Sequence, residues 1–289
     1  MEKGDAVQIP VELILIVLSP IFFLCIALEW YLSEKQRRSI YAWRDSLCNL
    51  VLAAMHQLGD GIALVLLMPF FLYLNTLSPW HIETTLGAVA ALFLLQDFCY
   101  YWFHRASHRV RWLWASHVAH HSSRLMNFST AFRQSLTYPI SGMWLFWTPL
   151  MLIGFDAQLV VAVVAINLAF QFFVHTRWGK HWGWFGYVFN TPAWHRVHHA
   201  CNPKYIDKNF AGVLVIWDRL FGTFEPEDAA EPCIYGITDQ FESTNPWTVT
   251  FYEWRRIARH VSIANSWRGK LRALFGPPQA KLDEKDLPR

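Results

Sequence analysis

Five apolar stretches limit what this chain can fold into more than any other feature of its sequence. They cover about residues 10–32, 50–76, 85–103, 136–154 and 157–174. A helix needs about 20 apolar residues to cross the hydrocarbon core of a bilayer. The composition agrees, since 54% of the residues are hydrophobic and 16% are charged, against roughly 25% charged in soluble domains. We therefore predict an all-α, integral membrane helical bundle with about four or five membrane helices.

The sequence does not decide how some of these stretches cross the membrane. The second is interrupted by Gly59-Asp60-Gly61, which predicts a kink or a helix break inside the membrane. The fourth and fifth are joined by Gly154-Phe155-Asp156, and they form either two full spans or a re-entrant hairpin. No basic leader precedes the first stretch, and no small-residue cleavage site follows it. This pattern predicts an uncleaved helix rather than a signal peptide.

The basic residues predict the orientation of the helices. Loop 33–48 carries four Lys or Arg residues, and loop 77–84 carries none. Segment 104–135 carries five Arg residues and no acidic residue. Because basic loops stay in the cytoplasm, these two basic segments and everything after residue 175 are expected on the cytoplasmic side of a multi-pass protein, with the N-terminus outside. The net charge of +3 is too small to predict a nucleic-acid partner.

Histidines are concentrated in one part of the chain. Ten of the 13 lie between residues 104 and 199, and eight of them form one HxxxH and two HxxHH groups. Residues three and four apart lie on one face of a helix, so each group aims its imidazoles in one direction. We expect a histidine-rich helical cap in the cytoplasm that holds two metal ions. The eight grouped histidines are His104, His108, His117, His120, His121, His195, His198 and His199.

The kind of metal follows from what accompanies the histidines. Packed imidazoles without a cation would leave many polar nitrogens unsatisfied, and eight or nine ligands are too many for one ion. The five cysteines include no CxxC pair, which excludes iron–sulfur and thiolate zinc sites. HExxH is absent, so a zinc protease would lack its general base. Two metals held by imidazole at a membrane surface fit oxygen activation on a lipid chain.

Two further residues are expected at this centre. His175 ends the fifth apolar stretch and is a candidate additional ligand. Asp97 shares a helical stripe with His104 and His108, where a carboxylate could orient a ligand from outside the metal's own coordination sphere.

The sequence around the histidines resembles the fatty acid hydroxylase/sterol desaturase superfamily, and within it the alkylglycerol monooxygenase-like branch and its bacterial sterol-desaturase-type relatives. The resemblance covers about residues 90–240. It is carried by YYWFHRASH, LWASHVAHHSS, NFSTAFRQS, NTPAWHRVHHA and YIDKNFAGVLVIWDRLFGTF.

This resemblance implies a membrane-embedded di-iron centre that uses O2 and two electrons, with the eight grouped histidines and His175 as ligands. The NFSTAFRQS text is expected to brace the second histidine group or to meet a polar headgroup, and the DKN text follows the last group. The matching residues are Asn127, Thr130, Arg133, Gln134, Asp207, Lys208 and Asn209.

One departure concerns substrate and reductant. The alkylglycerol branch carries an acidic residue just after the first histidine group, where this chain has Arg109. The resemblance thus implies the iron site without implying an ether-lipid substrate or a pterin. No cytochrome b5 segment is recognised, so electrons are expected from a separate partner, of cytochrome b5 or ferredoxin type or a reduced pterin.

The expected function is hydroxylation of a lipid C–H bond, in a fatty acyl, alkyl-ether or sterol-like chain. Such a bond has no acidic proton, so the chemistry must come from a metal cofactor. The alternatives are a lipid or sterol desaturase with the same centre, a zinc-binding membrane protein without oxygenase activity, and a structural scaffold. The domains are expected at 1–84 (membrane helices), 85–240 (catalytic unit) and 241–289 (amphipathic, interfacial tail). For 247–275, packing on the domain and contact with anionic headgroups are equally compatible with the sequence.

Overall fold

The structure, a computed structural model, describes residues 11–278, and within that range the chain is helical and contains no strand. The prediction of an all-α fold with membrane-capable helices and a histidine cluster is confirmed. The predicted first residue of the first span, the residues before it and the last residues of the C-terminal segment lie outside the described range. The helices are α1 Val11–Lys35, α2 Trp43–Leu77, α3 Leu86–Arg109, α4 Arg111–His121, α5 Tyr138–Ser141, α6 Thr148–Ile153, α7 Ala157–Phe172, α8 Phe185–Val188, α9 Pro192–His198, α10 Ile216–Leu220, α11 Pro246–Ile263 and α12 Trp267–Phe275, with 3₁₀ turns at Phe128–Phe132 and Met143–Phe146.

Three of these helices, α1, α2 and α3, are long and apolar enough to cross a membrane. Only 11% and 6% of the apolar windows of α1 and α2 are buried inside the protein, compared with 33% for α3. Their outer faces expose large apolar side chains, such as Val17, Val65 and Leu66, as helices do when they face lipid. α3 is therefore the most central of the three.

The predicted break at Gly59-Asp60-Gly61 is wrong, since α2 continues through it without interruption. A Cβ at position 59 would lie 3.0 Å from the carbonyl oxygen of Leu136. Glycine at this position thus allows α2 and the neighbouring segment to approach closely, rather than ending the helix. With 35 residues, α2 is about 52 Å long and extends beyond a bilayer core of about 30 Å. Its first turns pack against the histidine-bearing part of the protein.

The fourth and fifth apolar stretches form a hairpin whose descending arm is broken into short helices. α5, a 3₁₀ turn and α6 lead to Gly154, and α7 returns. Gly154 has φ 109°, and a Cβ there would lie 2.5 Å from the carbonyl oxygen of Trp80, so only glycine fits this turn. The amide of Ile82 donates to the Gly154 carbonyl at 3.1 Å. The hairpin thus reaches the loop between α2 and α3, at the end of the bundle away from the histidines.

The C-terminal helices pack on the histidine-bearing end. α11 contacts α2 and α4, and α12 contacts α4 and α11. α12 turns Gly269 and Ala273 inward and exposes Trp267, Leu271 and Phe275, which lie four residues apart on one helical face. The helices therefore pack on the domain, and α12 also leaves an apolar stripe exposed; contact of this segment with anionic headgroups stays a prediction.

A buried ion pair joins these helices to the start of α4. The Nε of Arg111 donates to Glu253 at 2.6 Å, and both side chains are 2% exposed. Nη1 of Arg111 also lies 2.8 Å from Nδ1 of His260, and the Arg111 amide donates to the Gly276 carbonyl at 3.0 Å. Arg111 thereby fixes α4 against both α11 and α12.

Replacing Glu253 by leucine should lower the free energy of unfolding by about 3–5 kcal/mol, because it leaves a buried guanidinium without its carboxylate. Urea unfolding of the detergent-solubilised protein measures the change. Combining Arg111→Met with Glu253→Leu should restore most of the loss. Glu242→Leu is the control, since the 2.6 Å ion pair between Glu242 and Arg124 is exposed. Its loss should lower the free energy of unfolding by less than about 1 kcal/mol. A Glu253→Leu protein no less stable than the control would contradict the role of this pair.

Candidate metal centre

All nine histidines that the sequence singles out lie together, in two adjacent groups. In each group, one ring nitrogen from every member lies within 4.8 Å of those of all other members. We call them the five-histidine group and the four-histidine group. The first comprises His104, His108, His117, His121 and His198, and the second comprises His120, His175, His195 and His199.

Two helices contribute to both groups, because an HxxHH motif does not point all its side chains at one place. On α4, His117 and His121 are four residues apart and share a face, and they enter the five-histidine group. His120 is offset around the helix and enters the four-histidine group. In the last motif, His195 and His199 enter the four-histidine group, and only His198 enters the five-histidine group.

The ring nitrogens within each group are in close contact. In the five-histidine group, Nε2 of His117 lies 3.0 Å from Nε2 of both His104 and His121. In the four-histidine group, Nε2 of His175 lies 3.1 Å from that of His120 and 2.9 Å from that of His195. His199 Nε2 lies 3.0 Å from His195 Nε2. Each group thus gathers its nitrogens around one small volume.

Backbone carbonyls fix the tautomer of three of these rings. Nδ1 lies 2.8 Å from the Phe210 carbonyl in His104, 2.6 Å from the Gln171 carbonyl in His175 and 3.0 Å from the Lys208 carbonyl in His198. A carbonyl oxygen only accepts hydrogen bonds, so Nδ1 carries the proton and Nε2 presents a lone pair. Nε2 of His198 is buried without a partner in the described part of the chain. Buried lone pairs that face other imidazoles need a cation between them, and a metal ion fits this requirement.

Burial keeps the rings neutral. It lowers the pKa of His175 to about 3 and that of His198 to about 4. It also lowers the pKa of His117, His120, His121, His195 and His199 well below the ordinary value, and neighbouring imidazoles add to the effect. The rings are therefore not protonated at neutral pH. Neutral imidazole is the form that binds metal.

The segment after α4 contacts the second histidine motif through Arg133 and Gln134. Nδ1 of His120 lies 3.2 Å from both the Arg133 carbonyl and Nε2 of Gln134. The buried Arg133 side chain donates to the Ala119 carbonyl at 3.0 Å and to Asn49 of α2 at 2.8 Å. These bonds tie the second motif to α2.

Asn127 and Thr130 contact the backbone of neighbouring segments rather than the histidines. Asn127 donates to the Ile40 carbonyl at 2.6 Å and accepts from the Ser129 amide at 3.0 Å, and it forms a capping box with Thr130. Within residues 11–278, its hydrogen bonds go to Ile40, Ser129 and Thr130, and none of them reaches a histidine of either group. These two residues shape the turn that precedes Arg133.

The segment after the last motif lies against the five-histidine group. Oδ1 of Asp207 is 3.8 Å from Nδ1 of His108, and its Oδ2 is 3.2 Å from Nε of Arg109. Asn209 donates to the carbonyls of Trp194 and Glu225 at 3.0 and 2.7 Å. Asp207 and Asn209 have φ of 60° and 55°, values that Asp and Asn tolerate better than most residues. This geometry places the Lys208 carbonyl against His198.

Asp97 does not hydrogen-bond to a histidine, contrary to our expectation. Its carboxylate accepts from the amides of Val213 and Leu214 at 2.9 and 3.0 Å. It also accepts from Nε1 of Trp217 at 3.0 Å and Nδ2 of Asn167 at 2.8 Å. Asp97 lies two turns before His104, about 10 Å along the helix, which explains why it reaches the 213–217 segment instead.

Two residues that support the centre, one by direct contact and one through the backbone, were not identified from the sequence. Asp218 accepts from the amides of Phe210 and Ala211 at 2.8 Å each, and so fixes the carbonyl that orients His104. The hydroxyl of Tyr138 lies 2.6 Å from Nδ1 of His117. Asp218 stands out as an acidic residue in the apolar run VLVIWDRLFG, which was an available signal. Tyr138 carries no comparable signal.

Comparison with known proteins agrees with the motifs. The family model described as "Fatty acid hydroxylase" matches residues 89–223. The alkylglycerol monooxygenase of Danio rerio is 44% identical over 185 residues, which are 61% of this chain and 41% of the relative. That of Xenopus tropicalis is 34% identical over 262 residues (89% and 57%). The ornithine lipid hydroxylase OlsE of Rhizobium tropici is 30% identical over 161 residues (55% and 47%).

The chain spans about half the length of these curated relatives, and no solved structure matches it. The matched region contains most of α3 and all of α4, α7 and α9, and all nine histidines of the two groups lie on these helices or within three residues after them. The chain belongs to the fatty acid hydroxylase/sterol desaturase superfamily, in its alkylglycerol monooxygenase-like branch.

Proposed function

We propose that this protein is a membrane-bound lipid hydroxylase with one iron ion in each histidine group. The observation that carries the proposal is the pair of buried groups in which ring nitrogens from four or five histidines lie within 4.8 Å of one another. When bound, the two irons would supply the activation of O2 that inserts one oxygen atom into a C–H bond. The overall reaction consumes O2, two electrons and two protons, and yields the hydroxylated lipid and water.

The ligand set favours this assignment over zinc. Structural zinc sites are almost always four-coordinate, whereas the five-histidine group offers one ligand more than that. Imidazole also suits iron, and the relatives named above are called a monooxygenase and a hydroxylase. Those names also favour hydroxylation over desaturation, for which the same centre would serve.

Aromatic side chains separate the centre from its surroundings. The Phe210 ring lies 5.2 Å from that of His108 and 5.9 Å from that of His104. Tyr100 packs on His104 at 5.4 Å, and Phe103 packs on Tyr138 at 6.2 Å. We assign to these rings the exclusion of water from the reacting carbon. The lipid chain would enter from the bilayer, since α3 and α7 reach the centre from the membrane-spanning part.

The remaining assignments follow the same scheme. We propose that residues 1–84 supply membrane helices, 85–240 the catalytic unit, and 241–289 a segment on the membrane surface. The arginines of segment 104–135 favour a centre on the cytoplasmic side. A separate electron donor would deliver the two electrons.

Membranes that contain the protein, supplied with 18O2 and a reductant, should accumulate one lipid class that is heavier by a single 18O atom. Lipid mass spectrometry compares them with membranes that carry His198→Ala, in which the product should be missing. The purified protein should contain two iron ions per chain. A product that has lost two hydrogens without gaining oxygen would identify a desaturase. Zinc in the purified protein, with function retained in the absence of oxygen, would refute the oxygenase assignment.

A further inference from the structure

A cationic cavity lies where α1 ends and where the chain emerges from α7. Its volume is about 400 Å³, and it is lined by Arg38, Ser39, Ile40 and Arg177. A second cavity of about 410 Å³ shares Arg38 and Arg177 with the first and adds Gln36, Trp178, Gly179 and Lys180. The two cavities adjoin at this pair of arginines, and we call them together the recess.

The recess has positive charge without a counterion. Arg38, Arg177 and Lys180 line it, and no carboxylate does. Within residues 11–278, the ion pairs found include none of these three cations. Three neighbouring cations repel one another, and a bound anion would remove that repulsion. Arginine pairs suit phosphate in particular, because each guanidinium donates two parallel hydrogen bonds.

The walls of the recess are held in place by the rest of the fold. The Arg38 amide donates to the Ser33 carbonyl at 2.9 Å, and the Ile40 amide donates to the Arg38 carbonyl at 2.8 Å. The guanidinium of Arg177 lies 5.7 Å from the ring centroid of Tyr235, within the range of a cation–π contact. The two arginines therefore stand on a fixed backbone, rather than on a free terminus.

The buried acid Glu29, whose hydrogen bonds reach the residue before Arg177, is bonded to other groups. Glu29 is 2% exposed and accepts from the Tyr41 hydroxyl at 2.5 Å, from the Phe128 amide at 2.7 Å and from the Thr176 hydroxyl. These bonds tie α1 to the residue between His175 and Arg177. They also place the recess next to the four-histidine group without supplying it with negative charge.

The position of the recess indicates where its anion comes from. α1 crosses the membrane by length and composition and ends at Lys35, one residue before the recess begins. Exposed Trp182 and Trp184 follow Lys180 in the chain, and tryptophan is enriched at the headgroup level of membranes. We propose that this recess binds the phosphate group of a membrane phospholipid. Soluble phosphate esters share this chemistry, and the experiment distinguishes them.

The test uses native mass spectrometry of the full chain in detergent, titrated with phosphatidylglycerol, phosphatidylcholine or diacylglycerol. The wild-type protein should retain both phospholipids and release diacylglycerol, which lacks phosphate. Arg38→Gln with Arg177→Gln should weaken phospholipid binding by at least about tenfold, as expected when charged hydrogen bonds are lost. Arg44→Gln is the matched control, since Arg44 follows the same loop and stacks on Trp43 at 5.3 Å without lining the recess; its effect should stay below about twofold.

Three results would overturn the proposal. They are unchanged phospholipid binding in the double variant, an equal loss in Arg44→Gln, and equal retention of diacylglycerol. Displacement of the lipid by an equimolar amount of glycerol 3-phosphate would assign the site to soluble phosphate esters and reject the phospholipid. Because the readout is lipid mass and not turnover or iron content, its failure leaves the proposed hydroxylase untouched.

Discussion

Replacing His175 by alanine should remove the ion of the four-histidine group and reduce turnover by at least about 100-fold. Replacing a residue that hydrogen-bonds to a metal ligand typically lowers metal affinity or activity by about 10–100-fold. The His175→Ala change goes further, because it removes a proposed ligand itself. His175 is in contact with two other members of its group, at 2.9 and 3.1 Å between Nε2 atoms. Elemental analysis should show at most one iron per chain.

His181→Ala is the matched control for this variant. His181 lies six residues further along, is exposed and stacks on Trp194 with ring centroids 5.9 Å apart. It belongs to neither group, so its replacement should leave both iron content and turnover unchanged. A His175→Ala protein with two irons and full turnover would remove His175 from the ligand set.

Asp97→Ala should be among the most destabilising single substitutions in this protein. Two amides, an indole and a side-chain amide donate to this fully buried carboxylate, and each donor left unpaired costs about 1–3 kcal/mol. The sum is about 4 kcal/mol or more, a large part of a typical folding stability of about 5–15 kcal/mol. Thermal unfolding of the solubilised protein, together with its abundance in membranes, measures the effect.

Two comparisons interpret that result. Asp97→Asn keeps one oxygen but turns an NH2 group towards two of the donors, so it should also be destabilised, by less than the alanine variant. Asp156→Ala removes an exposed helix cap that accepts from the Leu159 amide at 2.9 Å, which should cost about 1 kcal/mol. If Asp97→Ala unfolds no more readily than Asp156→Ala, the carboxylate does not hold the 213–217 segment in place.

The sequence predicted the fold class and the histidines of the centre because both depend on local patterns. An apolar stretch of about 20 residues needs no partner to be recognised as a membrane-capable helix. HxxxH places its two histidines on one face through helix geometry alone, and HxxHH does the same for its first and last histidines. His175 has no histidine three or four residues away in the chain, and its selection depended on its place at the end of an apolar stretch and on the family resemblance.

The division of the histidines and their supports could not be predicted in the same way. Whether His120 joins His117 or His175 depends on how α4 faces the end of α7, which no local pattern encodes. Asp97 meets its amide partners more than 100 residues later in the chain. Gly59 was misinterpreted for the same reason, since its contact with Leu136 is set by the packing of a distant segment.

The shared use of α4 and α9 has a consequence for how the protein would acquire the two proposed metal ions. Each of these helices contributes side chains to both groups, so neither site can be assembled while the other is still unfolded. Capture of a first ion would immobilise both helices and thereby preorganise the second set of ligands. Occupancy should therefore be cooperative, and partially loaded protein should be scarce at equilibrium.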